Sequence, residues 1–81
     1  MERPMRDWPT LWSALMRDVP GWSARPLRAI GEQAGCNPGT ASRVRRGVGE
    51  VAPDTVVRVL VAAGASPDVI RSAQALLGVA P

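Results

Sequence analysis

Eight prolines and eight glycines are spread along this chain of 81 residues, and their positions constrain its fold more than any other feature. Proline breaks the interior of a helix, whereas glycine is the residue that most often ends one in a left-handed conformation. Their spacing predicts about five short helices, roughly at residues 8–18, 24–34, 38–46, 53–63 and 67–77. No window alternates apolar and polar residues convincingly, so no strand is expected.

Apolar residues recur on one face of four of the predicted helices, as they do where a helix packs on a core, whereas the fourth helix is apolar on nearly all sides. In the first helix this face comprises Trp8, Leu11, Trp12, Leu15, Met16 and Val19. In the second and third helices it comprises Leu27, Ile30, Ala34, Ala41 and Val44. We therefore expect one all-α domain at residues 8–78, a compact bundle of short helices, with tails at 1–7 and 79–81.

Polar residues that can cap a free helix N-terminus precede four of these helices. Asp7, Ser23, Asn37 and Ser66 are the predicted caps, and a proline follows each of them within three residues. Ala52 stands before the fourth helix, where a capping serine would stabilise the helix start by about 1 kcal/mol.

The residue types that most enzymes and metal sites use are scarce. The chain has no histidine and a single cysteine, Cys36, so it has neither the commonest general base nor a zinc framework. Its seven acidic residues are scattered, with no spacing that suggests a catalytic pair. We expect a protein that is not an enzyme, with no cofactor and no metal. Cys36 is expected in the core, with a redox-sensing thiol as the alternative.

The N-terminal residues mix acids with arginines and lack the apolar stretch of a signal peptide, and no run of residues is long and apolar enough to span a bilayer. A cytoplasmic protein is expected. Arginine is used throughout without lysine, alongside many Ala, Val and Gly residues, which suggests a GC-rich bacterial or phage genome. The expected location is therefore a bacterial nucleoid or a phage-infected cell.

Positive charge is concentrated in one part of the chain. Residues 25–46 contain five arginines and one acid, a net charge of +4, whereas the remainder holds five arginines and six acids, a net charge of −1. This distribution is expected of a surface that meets a polyanion, although a solvated arginine-rich face would look similar.

Two short helices joined by a glycine turn, the second rich in arginine, describe a helix-turn-helix. Residues 27–47, LRAIGEQAGCNPGTASRVRRG, resemble the DNA-reading unit of the lambda-repressor and Cro (XRE-like) family. They are also similar to the headpiece of the lac-repressor family, and part of the segment resembles region four of sigma factors. The residues that carry the likeness are Gly31, Ala34, Gly35, Cys36, Ala41 and the run Thr40-x-Ser42-Arg43-Val44.

The likeness to the lambda-repressor type continues to about residue 77, because the segments 51–55 and 62–68 resemble the helix starts and joins of that family. Three features depart from it, and one is Ala52, which stands where a capping serine is common. Leu27 stands where the family often has a glutamine that contacts phosphate, and the join between the first two helices is about three residues longer than usual.

The resemblance implies that the helix at 38–46 lies in the major groove of DNA, with its N-terminal residues at the base edges. Because Ala41 and Val44 face inward, the outward arc contains Gly39, Ser42, Arg43 and Arg46. Arg43 is the candidate for a bidentate contact with guanine. The other candidate DNA-binding residues are Ser42, Arg46, Gly39, Asn37, Thr40, Arg45, Arg28 and Arg25. Arg25 and Arg28 are assigned to the phosphate backbone, and solvated arginines are the alternative for them and for Arg45.

These inferences predict a small sequence-specific DNA-binding transcriptional regulator. The leading hypothesis is a repressor that binds a palindromic operator as a homodimer. The last helix often forms the dimer contact in lambda-repressor-like proteins, and the candidates here are Ile70, Ala73, Leu76 and Leu77. The alternative for these four residues is that they close the core of one chain. The alternative function is a protein-binding adaptor with the same fold, a phage or plasmid product that engages host polymerase or a toxin partner.

Overall fold

The computed structural model describes residues 8–47 and 51–78, and all regular structure in these ranges is helical. The helices are α1 Trp8–Arg17, α2 Gly21–Ala24, α3 Leu27–Ala34, α4 Pro38–Arg46, α5 Pro53–Ala62 and α6 Pro67–Leu76. The prediction of a small all-α bundle is confirmed. The predicted tails at 1–7 and 79–81, the cap at Asp7 and the residues Val48 and Gly49 lie outside the described ranges.

The described residues contain one helix more than the sequence predicts. The additional short helix, α2, lies in the predicted join, and the helix expected at 24–34 begins only at Leu27, because Arg25 adopts an extended conformation (φ −138°, ψ 145°) before Pro26. The ring of a proline disfavours helical geometry in the residue before it. Ser23, predicted to cap the longer helix, instead lies within α2, and its hydroxyl donates to the carbonyl oxygen of Pro20 at 3.3 Å.

Helix α3 is the centre of the bundle and packs mainly on α4 and α5, while α1 packs on α6. Ile30 of α3 and Leu60 of α5 are completely buried, as are the predicted inward residues Ala41 and Val44 of α4. Cys36 is half-buried against the same core, as predicted. Because Ala41 and Val44 are held in the core, the opposite side of α4 faces outward.

Two of the three predicted cap residues in the described ranges accept the expected hydrogen bonds. The Oδ1 atom of Asn37 accepts from the amide of Thr40 at 2.7 Å, and the hydroxyl oxygen of Ser66 accepts from the amide of Val69 at 3.2 Å. Pro38 and Pro67 follow in the first turns of α4 and α6, where their missing amide hydrogens cost nothing. Ala52 precedes α5 without a side-chain cap, as expected.

The tryptophans of α1 join this helix to two others. The Trp8 and Trp12 rings stack with centroids 5.0 Å apart. The indole of Trp12 is buried and donates to the carbonyl oxygen of Val44 at 2.8 Å, while that of Trp8 donates to the carbonyl oxygen of Leu76 at 3.0 Å. Leu11 was predicted on the buried face of α1, but its side chain is 47% exposed. Leu11 instead lies beside a groove between α1 and α6.

Candidate nucleic-acid interface

The turn between α3 and α4 is short and tightly packed. Gly35 ends α3 in the left-handed conformation, with φ 78°, and Asn37 begins the next helix as its N-cap. A Cβ atom on Gly31 would lie 2.8 Å from the carbonyl oxygen of Cys36, so only glycine lets the turn fold back against α3. The backbone that approaches Gly31 so closely is that of the turn, at Cys36 and Asn37.

The outward side of α4 carries an exposed cationic surface. Arg43, Arg45 and Arg46 are all exposed, and none of them forms a salt bridge with another residue of the described ranges. By contrast, Asp54 and Asp68 are paired with Arg58 and Arg71 on their own helices, α5 and α6. The positive charge of α4 is therefore not neutralised by these carboxylates.

The remaining candidates on α4 differ in what they can offer to a ligand. Ser42 is half-buried beside the exposed arginines, and Gly39 is exposed. Thr40 is half-buried, and its amide is already bound by the Oδ1 atom of Asn37. That bond also occupies Asn37, which acts here as a helix cap. A Cβ on Gly39 would lie 3.2 Å from the same Oδ1 atom, so glycine at this position also leaves room for the cap.

Arg25 and Arg28 were assigned together to the phosphate backbone, but the structure separates them. Arg28 is exposed on the first turn of α3. Arg25 donates from Nη1 to the carbonyl oxygen of Ala62 at 2.5 Å and from Nη2 to the Oε1 atom of Gln33 at 2.6 Å. These bonds hold the end of α5 against the start of the α3–α4 unit, so we assign Arg25 a structural role.

A second arginine completes this attachment and was not singled out from the sequence. The Nε atom of Arg58, on α5, donates to the carbonyl oxygen of Ala34 at the end of α3, at 3.2 Å. The last carbonyl groups of a helix lack partners within it, and a cationic donor satisfies them well. Arg25, two residues before α3, thus binds the last carbonyl of α5, while Arg58 of α5 binds the last carbonyl of α3, and together these bonds fix α3 on α5.

The candidate dimer residues on α6 belong largely to the core of the single chain. Ala73 is 1% exposed, so a second copy cannot reach its side chain. Ile70, Leu76 and Leu77 are half-buried and pack on the core. Ala73 therefore closes the core of the single chain, which was the alternative to a dimer contact. Ile70, Leu76 and Leu77 keep some accessible surface.

Among residues 8–47 and 51–78, no helix is long and apolar enough to cross a membrane. Within the same ranges, no three His, Cys, Asp or Glu side chains come together in a way that would hold a metal ion. A scan of protein-family models and searches of curated proteins and of solved structures gave no match to this chain. The likeness to lambda-repressor-type domains therefore rests on the motif residues and their order alone.

Proposed function

We propose that this protein is a sequence-specific DNA-binding transcriptional regulator, acting as a repressor, that inserts α4 into the major groove as the second helix of a helix-turn-helix. The observation that carries the proposal is the exposed cationic surface of α4. Arg43, Arg45 and Arg46 project from a helix whose opposite side, at Ala41 and Val44, is fixed in the core. A rigid helix with exposed arginines is suited to the edges of bases, since guanidinium groups bind guanine through two parallel hydrogen bonds.

The start of α3 supports a contact with the phosphate backbone beside that groove. Pro26 provides no side-chain cap, so the first amides of α3 have no side-chain partner of that kind. Free helix amides together with an exposed arginine, Arg28, form a favourable environment for a phosphate. Arg28 and α4 would then position the protein on DNA, and Arg43 would read the sequence.

The proposal includes a homodimer, because two copies related by a two-fold axis would read the two halves of a palindrome about one helical turn apart. The accessible apolar surface that supports a contact between copies lies between α1 and α6. Leu11, Ala14, Leu15, Ala75 and Leu76 line a groove there. The same groove supports the second candidate function, an adaptor that binds another protein, since exposed apolar surface is typical of either contact.

Selection of bound sequences from a random duplex pool at about 0.15 M salt tests the proposal. We expect an enriched palindrome whose half-sites lie about one helical turn apart. An enriched half-site alone would support DNA reading and contradict the homodimer. No enrichment, with weak binding that disappears as salt rises, would contradict the proposal and favour the adaptor.

Paired variants then separate base reading from simple charge. Arg43→Ala should weaken binding to the selected site by about 1–3 kcal/mol and relax the preference at one base position. Arg71→Ala is the matched control, because it removes the same charge from α6, where Arg71 is paired with Asp68. Equal losses in the two variants would contradict the assignment of Arg43 to a base.

A further inference from the structure

A cationic cleft lies on the side of α4 that faces α1 and α2. Arg17 of α1 and Arg45 and Arg46 of α4 line it together with the hydroxyl of Ser13, and its volume is about 490 Å³. No acidic residue lines this cleft, and none of the three arginines forms a salt bridge within the described ranges. Arg17 lies outside the cationic stretch at residues 25–46 and comes to the cleft only through the fold.

The apolar lining of the cleft is already used by the core. Met16, Val19 and Trp22 also line the cleft and are each at least nine-tenths buried. A peptide that docks on a protein normally anchors an apolar or aromatic side chain in an accessible apolar pocket. This cleft instead offers guanidinium groups and a hydroxyl around a nearly closed apolar base, which favours a small anion with several acceptor oxygens.

Trp22 lines the cleft and carries an unmatched donor. Its indole N–H is buried and has no hydrogen-bond partner in the described part of the chain. Buried polar groups are nearly always paired, and an unpaired one is costly. This N–H has almost no accessible surface and is not open to a ligand in the cleft, so the three arginines carry the attraction for an anion and the Trp22 indole serves as a probe of the site.

We propose that the cleft between α1, α2 and α4 is a binding site for a phosphate group, held by Arg17, Arg45 and Arg46. Guanidinium groups bind phosphate through short, charge-assisted hydrogen bonds, and several of them can share its oxygens. The phosphate can belong to a DNA backbone or to a free phosphate compound. Only the first of these sources rests on the function proposed above.

The first experiment uses inorganic phosphate as the probe and needs no DNA. Sodium phosphate is titrated into the ¹⁵N-labelled full chain while the three tryptophan indole signals are followed by NMR, with sodium chloride at matched ionic strength as the reference. We expect a saturable shift of the Trp22 signal that chloride does not cause, because Trp22 lines the cleft. The Trp8 signal is an internal control, since its indole binds the Leu76 carbonyl oxygen on α6.

Arginine variants identify the residues that hold the phosphate. Arg17→Ala and Arg45→Ala should each raise the dissociation constant about tenfold, the effect of losing one hydrogen bond to a charged group. Arg71→Ala should leave it unchanged, because Arg71 does not line the cleft. No saturable shift, an equal shift in chloride, or equal binding by Arg17→Ala and the parent chain would each overturn the proposal.

A second experiment identifies the source of the phosphate by measuring the affinity for the selected duplex over a range of salt concentrations. If a backbone phosphate occupies the cleft, Arg17→Ala should reduce the slope of log K against log salt by about 0.9, whereas Arg71→Ala should not. If phosphate binds in the NMR titration but Arg17→Ala leaves the salt slope unchanged, the result supports the site and identifies a free phosphate compound as its ligand. A parent chain that binds no DNA would contradict the proposed function, and the phosphate titration would still decide the cleft.

Discussion

Gly21 lies where α2 touches the end of α5, and the contact fits only because this residue has no side chain. Its amide donates to the carbonyl oxygen of Ala63 at 2.8 Å. A Cβ atom on Gly21 would lie 2.2 Å from the same oxygen, whereas real Cβ atoms keep at least 3.0 Å from such neighbours. The substitution Gly21→Ala must therefore separate α2 from α5 by the better part of an ångström.

The cost of this separation follows from two effects. Inserting a methyl group into a closely packed site costs about 1–3 kcal/mol, and losing the buried hydrogen bond to Ala63 costs about 1–3 kcal/mol more. We expect Gly21→Ala to lower the free energy of unfolding by about 2–6 kcal/mol. A domain of 81 residues has a total stability of about 4–12 kcal/mol, so this loss is a large fraction of it.

Urea unfolding followed by tryptophan fluorescence measures this loss, with Gly35→Ala as the control. Gly35 has φ 78°, but a Cβ there would have no neighbour within 4 Å, so the control reports backbone strain without a steric clash. Strain of this kind costs about 1–2 kcal/mol. If Gly21→Ala costs no more than Gly35→Ala, the packing of α2 on α5 does not depend on this contact and the reasoning is wrong.

Three further substitutions test single hydrogen bonds or their absence. Trp12→Phe removes the bond to the Val44 carbonyl oxygen and should lower stability by about 1–3 kcal/mol, and an unchanged thermal midpoint in circular dichroism would contradict the role of that bond. Asn37→Ala should cost about 1 kcal/mol by urea unfolding, while Asn37→Asp should keep most of the stability because the carboxylate can still accept from the Thr40 amide. Ala52→Ser should add about 1 kcal/mol in calorimetry by supplying the cap that α5 lacks, and no gain would show that residue 52 does not act as its N-cap.

Features that depend on neighbouring residues could be predicted from the sequence. Asn37 and Ser66 cap their helices through amides three residues ahead, so residue type and spacing identify them. The inward positions of α4 follow from the helical period, and Ala41 and Val44 are buried as expected. Short-range geometry also explains why the helix expected at 24–34 begins only at Leu27, since a following proline disfavours helical backbone at Arg25.

Features that depend on distant residues could not be predicted in this way. Arg25 resembles any other arginine of the cationic stretch, and its partner Ala62 is 37 positions away in the chain. Leu11 continues the apolar pattern of α1, yet α6 and α4 cover only part of that face and leave Leu11 exposed. A pattern on one helix shows which side is apolar, whereas the width of the buried part is set by the helices that pack on it.

The net charge of +4 counted over residues 25–46 also differs from the charge that a ligand would meet at the surface. Carbonyl and amide oxygens already accept from two of the five N–H donors of Arg25, so its guanidinium is less available for direct contact with a ligand. Arg17 joins Arg45 and Arg46 from outside the stretch. Meanwhile Asp54 and Asp68 each pair with an arginine on their own helices, so part of the acidic charge is neutralised on α5 and α6. Exposed pairs of that kind add little stability, so their main effect is to leave the positive field concentrated around α4, as the proposed contact with DNA requires.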